Sequence, residues 1–149
     1  VALLTYLNTV GGENSFLSYG AQAVGGGSRS GEEIIQSCTR GSDRLIVAEL
    51  EGRIIGAADL RAGHRPPIAG LAVLRQYSKQ GIGKELLEHL IRDARQGGRI
   101  QVLSVTISAS DPAAASLCRR YGFQQIGCYP RFFRAGDRYE DGVMMNLYL

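Results

Sequence analysis

The segment Ser78–Lys84 contains the residue types of a phosphate-binding turn. Gly81 and Gly83 would let the main chain approach a ligand closely. An apolar run precedes the segment and a helical pattern follows it, so the N–H groups of a first helical turn would point outward at the positive end of the helix dipole. A diphosphate would be bound there by main-chain donors. A tight turn without a ligand also accommodates two such glycines, so the motif alone leaves both interpretations open.

Two other phosphate-binding motifs do not fit this segment. A P-loop requires Ser or Thr directly after its lysine, whereas Glu85 follows Lys84. A dinucleotide fingerprint requires a third glycine, which does not follow Gly83 at the required spacing. If this turn binds a diphosphate, it does so without either motif.

The composition predicts one globular domain over residues 1–149. Of its residues, 44% are hydrophobic and 21% are charged, and the net charge of +3 is spread along the chain. This distribution argues against nucleic acid as a partner. The cysteines Cys38, Cys118 and Cys128 show no C-x-x-C spacing, so we expect neither a disulfide framework nor a metal site. Cysteines of this kind fit a reducing cytoplasm. No apolar run reaches the roughly 18 residues that span a bilayer, so we expect no membrane partner.

The helices that position this turn are predicted from hydrophobic periodicity and from helix-capping residues. Four helices are expected: Val1–Thr9 ending at Gly11–Gly12, a second helix capped by Ser30 with Glu32 and Glu33 in its first turn, a long helix from Ile82 to Gly97–Gly98, and a short helix from Asp111 to Tyr121. The long helix has an apolar face made of Leu86, Leu87, Leu90, Ile91 and Ala94. The segment through Gly25–Ser28 is expected to be a loop.

Six strands are predicted from branched and apolar runs. They are Arg44–Leu50, Arg53–Leu60, Ile68–Leu74, Ile100–Ile107, Ile126–Phe133 and Val143–Leu149. Glu51–Gly52 is typical of a hairpin turn between the first two, and Gly136 and Asp137 should form the tip of the last hairpin. The order of helices and strands indicates one mixed α/β layer.

Two sequence blocks resemble the GNAT superfamily of N-acetyltransferases, particularly its small bacterial members. The first matches the family pattern V-x-x-x-[YF]-[RQ]-x-x-G-x-[GA] at Val73, Tyr77, Gly81 and Gly83. The second extends from Val105 to Asp111 and continues at Ala114, Leu117, Gly122 and Phe123. The likeness runs from about Leu45 to the C-terminus, where Tyr139–Met145 is similar to the acidic closing strand of the family. By this resemblance the family's first strand would lie before Val1.

The resemblance implies a fold and a cofactor. The fold would be α/β (α+β), with a mixed, mostly antiparallel central sheet, a splayed parallel strand pair and flanking helices. Acetyl-CoA would lie between the splayed strands, with main-chain N–H groups polarising its thioester carbonyl. The cofactor-binding residues implied are Leu71, Ala72, Val73, Ser78, Lys79, Gln80, Gly81, Ile82, Gly83, Lys84, Asp111 and Cys118.

The implied activity is acetyl transfer from acetyl-CoA to a primary amine of a small molecule or peptide, by direct attack in a ternary complex. An alternative keeps the cofactor site but makes the protein a non-catalytic acyl-CoA-binding or sensory module. A more distant one uses the same helix terminus in a nucleotide-dependent transferase. Exposed C-terminal strand edges are also compatible with a homodimer.

Three positions depart from the family pattern. Ser78 replaces an Arg or Gln that assists at the phosphates, and Asp111 replaces an Asn and could simply cap a helix. Cys118 stands where many members carry the tyrosine that protonates the leaving thiolate. A thiol can donate a proton, but Cys118 also suits a buried helix face, and Tyr121 could share that face.

The proton acceptor is not specified by the resemblance. An amine must lose a proton before it attacks, and many members use a glutamate early on the strand before the turn. Here that stretch is Ile68–Gly70, with no carboxylate. The remaining candidates are Glu13, Asp59 and His64, acting directly or through water. Three arginines of the last hairpin could steer an acidic group, although a solvated basic edge explains them as well: Arg131, Arg134 and Arg138.

Overall fold

A computed structural model describes residues 2–13, 31–41, 43–62, 66–135 and 137–149. Within these ranges the chain forms α1 (Ala2–Glu13), α2 (Gly31–Thr39), β1 (Asp43–Leu50), β2 (Arg53–Arg61), β3 (Ile68–Val73), a 3₁₀ turn (Arg75–Tyr77), α3 (Ile82–Gln96), β4 (Val102–Ser108), α4 (Pro112–Arg120), β5 (Gln124–Ala135) and β6 (Arg138–Tyr148). The predicted order of helices and strands is confirmed. Predictions on Gly25–Ser28, Ser30, His64 and Gly136 lie outside the described residues.

The six strands form one sheet in the order β1-β2-β3-β4-β6-β5. Every neighbouring pair is antiparallel except β3 and β4, which run parallel. The parallel pair meets at a single register position, Ile68 opposite Ser104. The predicted mixed sheet with a splayed parallel pair is therefore confirmed.

Two apolar clusters cover opposite faces of the sheet, and we name the faces by their helices. On the α3 face, α3 and α4 pack on inward residues of the central strands, and Leu90, Leu103 and Met145 are fully buried. On the α1 face, α1 and α2 cover β2 and β3 through Tyr6, Val10 and Ile34. The two faces separate because successive strand residues point to opposite sides.

The periodicity of α3 is reproduced residue by residue. Its buried residues are the five predicted ones, Leu86, Leu87, Leu90, Ile91 and Ala94. Burial of these side chains is the dominant favourable contribution to helix formation, since isolated helices of this length are marginal in water.

The end of the first helix was predicted wrongly. Gly11 and Gly12 lie inside α1, which continues to Glu13, and Gly11 is buried. Packing against the sheet outweighs the roughly 1 kcal/mol by which each glycine disfavours a helix. A second cause is the contact of Glu13 with the turn after β3, described below.

The closing hairpin is longer than predicted. Its strands extend to Ala135 and Arg138, which form the last described pair before the turn. The pairing is interrupted between Tyr129 and Phe133 by a bulge. Arg131 in this bulge has φ 54°, and its N–H donates to a carboxylate oxygen of Asp141 at 2.9 Å.

None of the helices in the described parts of the chain is long and apolar enough to cross a membrane.

Candidate active site

A gap opens in the sheet where β3 and β4 diverge. The two strands are joined by the Ser104 N–H, which donates to the Pro67 carbonyl at 3.0 Å. Beyond Ile68 and Ser104 no further register pair links the two strands. Main-chain groups on the facing edges are therefore available to a ligand.

The hydrogen-bond alternation of β3 identifies which groups face the gap. The Leu74 N–H donates to Ile55 on β2 at 2.8 Å. Because alternate residues of a strand point their N–H groups to opposite neighbours, the amides of Leu71 and Val73 point toward β4. The Ala72 amide falls on the β2 side, and the Ala72 carbonyl accepts a 2.7 Å hydrogen bond from Tyr6. Of the three predicted residues, Leu71 and Val73 thus have the favourable orientation.

Hydrogen bonds of β4 likewise identify the main-chain groups on the other edge of the gap. The Ala109 N–H donates to the Asp141 carbonyl at 2.9 Å, and the Leu149 N–H donates to the Gln101 carbonyl at 2.9 Å. Odd-numbered residues of β4 therefore bond to β6, and the main-chain groups of Thr106 face β3 across the gap. Sequence reasoning had not singled out Thr106, because its exposure to the gap depends on register.

The turn after β3 presents main-chain donors at the top of the gap. Lys79 has φ 61° and Gly81 has φ 87°, a conformation that favours glycine. No side chain caps the N-terminus of α3. The Ser78 hydroxyl donates to the main-chain carbonyl of Arg75 at 2.7 Å. The side-chain amide of Gln80 donates to the main-chain carbonyl of Gln76 at 3.3 Å. Both polar side chains thus bind the turn itself and leave the helix terminus to another acceptor.

Small residues set the distance between α3 and the sheet. A Cβ at Gly56 on β2 would lie 3.1 Å from Leu86 and 3.3 Å from Ile82. A Cβ at Gly83 would make ordinary contacts, 3.6 Å from Leu71 and 3.8 Å from Val73. Gly56 is therefore the position at which the approach of α3 to β2 and β3 depends on having no side chain.

Glu88 on α3 contacts both Lys84 and Tyr121. The Lys84 ammonium lies 3.9 Å from Glu88 Oε1, and the Tyr121 hydroxyl donates to the same oxygen. The hydrogen bond to Glu88 is the main cause that raises the pKa of Tyr121. The hydroxyl of Tyr121 is therefore committed to α3.

Cys118 lies in the core on the α3 face, 7% exposed. Burial, and then the charge of Asp111, raise the pKa of its thiol to about 11. The thiol therefore keeps its proton at neutral pH. Tyr121 packs against the same core cluster, as predicted from helical spacing, but the polar atoms of the two residues have different surroundings.

Two predicted site carboxylates have structural contacts. Asp111 caps α4, because its Oδ1 accepts from the Ala114 N–H at 3.0 Å. Glu13 Oε2 accepts from the Arg75 N–H at 2.8 Å, and the Arg75 guanidinium donates to the Glu13 carbonyl at 2.7 Å. Glu13 thereby joins the end of α1 to the turn that precedes α3.

Asp59 is the predicted carboxylate whose surroundings suit proton transfer best. It is 3% exposed, and its Oδ1 has no hydrogen-bond partner among the described residues. Its Oδ2 lies 3.4 Å from Arg61 Nε. Burial raises the pKa of Asp59 to about 6, against the opposing charge of Arg61.

An aromatic cluster of the closing hairpin reaches the gap on the α1 face. A Cβ at Gly142 would lie 2.7 Å from Thr106 and 2.9 Å from Phe132. Phe132 therefore packs over Gly142 beside the gap, with its ring centroid 5.3 Å from that of Tyr129. The bulge that places Phe132 there gave no recognisable signal in the sequence.

The hairpin arginines lie on a solvated edge. Arg134 and Arg131 stack on the Tyr139 ring at 5.6 and 6.0 Å, and Arg138 forms an ion pair with Glu140 at 3.3 Å.

A family model for an acetyltransferase (GNAT) domain matches residues 41–125, more than half of the chain. The chain belongs to the GNAT acetyltransferase family. The matched region contains the parallel strand pair, the turn and both α3 and α4. The resemblance inferred from the two sequence blocks is therefore confirmed.

Known GNAT proteins are similar to this chain in sequence and in fold. The ribosomal protein bS18-alanine N-acetyltransferase of Escherichia coli is 34% identical over 77 residues, 52% of this chain and 51% of that protein. The chain thus spans about half the length of the ribosomal protein bS18-alanine N-acetyltransferases that it matches. The ribosomal-protein-alanine N-acetyltransferase of Brucella melitensis superposes with a TM-score of 0.81 at 25% identity, covering 99% of this chain and 93% of that one. A putative acetyltransferase from Salmonella typhimurium, solved with acetyl-CoA, has a TM-score of 0.71 at 22% identity, with 83% and 77% covered.

Proposed function

We propose that this protein transfers an acetyl group from acetyl-CoA to a primary amine. The observation that carries the proposal is the uncapped N-terminus of α3 beside a parallel strand pair joined at one position only. A helix terminus of this kind binds phosphate groups, and a gap between strands admits a narrow chain such as pantetheine. Acetyl-CoA, when bound, supplies the activated acetyl thioester.

The residues present fit this cofactor. The main-chain N–H groups of residues 79–84 would hold the pyrophosphate, since the side chains of Ser78 and Gln80 bind the turn. Lys84 would add a positive charge near the phosphates. The amides of Leu71 and Val73 would bind the pantetheine arm and polarise the thioester carbonyl.

Cys118 is the proposed proton donor to the leaving thiolate. Its thiol is protonated at neutral pH because burial raises its pKa to about 11. Tyr121 is the second candidate, but its hydroxyl already donates to Glu88. Substitution of each residue separately, Cys118→Ala and Tyr121→Phe, distinguishes them: the donor's variant should lose about 100-fold in kcat with cofactor affinity retained.

The proposed acceptor is a peptide or protein amine. The Escherichia coli and Brucella melitensis relatives are named for acting on ribosomal-protein alanine. In this chain the aromatic rings of Phe132 and Tyr129 border the gap on the α1 face, where an acceptor chain would pack. A cytoplasmic location belongs to the same proposal and is supported by the free thiols of Cys118 and Cys128.

The decisive experiment compares two glycines at opposite ends of α3. Gly81 and Gly98 both have positive φ, 87° and 60°, and at both a Cβ would meet nothing within 4 Å. Alanine at either position should cost about 1 kcal/mol of backbone strain. Only Gly81→Ala should weaken acetyl-CoA binding in calorimetry, by tenfold or more, and slow thiol release with an N-terminal peptide. Equal effects of the two variants, or no binding by the unmodified chain, would contradict the cofactor site.

The same assays separate the alternatives. Acetyl-CoA binding without thiol release across peptide and small amines would favour a non-catalytic acyl-CoA module. Competition by ATP but not by CoA would favour a nucleotide-dependent transferase. A homodimer stays a prediction, which size-exclusion chromatography with light scattering tests.

A further inference from the structure

We infer that Asp59, placed opposite Gly70 next to the strand gap, accepts the proton that the acceptor amine must lose. This inference rests on the proposed acetyl transfer and assigns one residue within it. It assigns the proton acceptor to β2, the neighbour of β3, because the early residues of β3 lack a carboxylate.

The strand register supplies the geometry. Asp59 on β2 pairs directly with Gly70 on β3, and Gly70 is the second residue beyond Ile68, the last position paired to β4. Directly opposed residues of antiparallel strands lie about 5 Å apart at their Cβ positions. Because glycine has no side chain, no side chain of β3 stands between the Asp59 carboxylate and the gap at this level.

The side of the sheet is the correct one for an acceptor. Ala57 and Ala72, two register pairs further along, belong to the cluster beneath α1, so Asp59 points to the α1 face as well. Phe132 packs beside Thr106 on this face across the gap. An amine entering along the aromatic rings would therefore reach the gap from the side on which Asp59 lies.

The contacts of Asp59 leave it free to take a proton. Oδ1 has no partner among the described residues, although buried carboxylate oxygens are normally hydrogen-bonded. The 3.4 Å separation of Oδ2 from Arg61 Nε exceeds the 2.7–2.9 Å or so of a strong charged hydrogen bond. A buried carboxylate that is only half satisfied needs a donor, and an ammonium group or a water bound to it would supply one.

Two other carboxylates on this side, Asp43 and Glu13, have hydrogen-bond donors of their own. Asp43 on β1 accepts from the Ala62 N–H at 3.2 Å, and Glu13 accepts from Arg75. Among the described residues, Arg61 on its own strand and the Tyr6 hydroxyl from α1 interact electrostatically with Asp59. Tyr6 stays neutral because burial raises its pKa, so Arg61 supplies the charge that opposes protonation of Asp59.

The step balances as follows. An acceptor ammonium gives one proton to the Asp59 carboxylate, directly or through one water, and the freed nitrogen lone pair forms a bond to the acetyl carbon. The bond from the acetyl carbon to sulfur breaks, and its electron pair leaves on sulfur. The proposed donor Cys118 protonates that sulfur and is reprotonated by the second proton that the nitrogen loses, and the proton on Asp59 passes to solvent. The products are the acetylated amine, the CoA thiol and one released proton.

The test is the pH dependence of kcat/KM for an N-terminal peptide with saturating acetyl-CoA. The unmodified protein should show a bend near pH 6, where Asp59 ionises. Asp59→Asn should lose this bend, fall about 100-fold at pH 7, and recover as pH rises toward the pKa of the peptide amine. Asp59→Glu should restore a bend and part of the rate. Asp43→Asn, a matched change of a buried carboxylate on the next strand, should keep the bend.

Each outcome has one meaning. A bend that persists in Asp59→Asn overturns the inference and leaves the acetyl transfer proposal standing. Calorimetry with acetyl-CoA should give the same affinity for Asp59→Asn and the unmodified protein, because Asp59 is not one of the residues proposed to bind the cofactor. If the unmodified protein fails to bind acetyl-CoA, the proposed function fails first and this inference with it.

Discussion

The hydroxyl of Tyr6 on α1 donates a buried 2.7 Å hydrogen bond to the main-chain carbonyl of Ala72 on β3, 66 residues further along the chain. Ala72 lies between Leu71 and Val73, the residues whose amides face the gap. The contact therefore joins the first helix to β3, the strand whose main-chain amides are proposed to bind the cofactor. A second contact, between Glu13 and Arg75, joins the end of the same helix to the turn before α3.

Tyr6→Phe should lower the free energy of unfolding by about 1–2 kcal/mol, because the Ala72 carbonyl loses a buried donor while the ring still fills its place. Urea unfolding measures this, with an unchanged m value showing that the native and unfolded states remain comparable. Tyr148→Phe is the control, since Tyr148 is 56% exposed, and it should change stability by less than about 0.5 kcal/mol. Equal effects of the two changes would contradict the role given to Tyr6.

Gly56→Ala should destabilise the protein by about 1–3 kcal/mol through overpacking. The added Cβ would lie 3.1 Å from Leu86 and 3.3 Å from Ile82 and Val73, so α3 must move away from the sheet. Acetyl-CoA affinity should fall as well, because this movement displaces the N-terminus of α3. Gly127→Ala is the control, since a Cβ there meets nothing within 4 Å. An unchanged melting temperature and affinity in Gly56→Ala would show that the contact relaxes without moving the helix.

The sequence predicted the features that depend on local pattern. The apolar face of α3, the Asp111 cap of α4 and the hairpin at Glu51–Gly52 each follow from short-range rules, and the structure reproduces them. The two family blocks identified the turn and the parallel strand pair.

The remaining features depend on contacts between distant segments. Nothing near Asp59 in the sequence indicates Gly70 as its neighbour, and the register alone brings them together. The commitment of Tyr121 to Glu88 spans 33 residues. Local propensity predicts a helix end at Gly11 and Gly12, because it carries no information about what α1 packs against.

Cys128 should react with iodoacetamide at pH 8 well before Cys118. The thiolate is the reactive form, and burial raises the pKa of Cys118 to about 11, whereas Cys128 is exposed. Mass spectrometry of peptides after timed labelling should show at least about 100-fold slower modification at Cys118, with reaction becoming fast in urea. Comparable native rates at the two cysteines would show that Cys118 is accessible and ionised, contrary to its place in the core.

Asp59→Asn should stabilise the fold at neutral pH while it impairs acetyl transfer. The pKa of Asp59 is raised in the folded state from 3.8 to about 6, so the folded protein binds this proton more tightly than the unfolded chain does. The stability that this proton contributes is fully present below pH 3.8 and is lost as pH rises through about 6. At 1.36 kcal/mol for each pKa unit, the loss amounts to about 3 kcal/mol. The neutral amide of asparagine avoids it.

Urea unfolding of both proteins at pH 4 and pH 7.5 tests this sign, since taking their difference at each pH cancels contributions from all other groups. The advantage of Asp59→Asn should grow by about 2.4 kcal/mol between the two pH values, because a part of the effect is already present at pH 4. Asp43 stands opposite Arg61 in the register of β1 and β2, so a carboxylate still neighbours this guanidinium in the variant. If the advantage shrank instead, the pair of Asp59 with Arg61 would be a net stabilising ion pair. A carboxylate that lowers stability, by contrast, is what a buried proton acceptor requires. The same desolvation that destabilises its charge raises its pKa and makes it a better acceptor of a proton from an ammonium group.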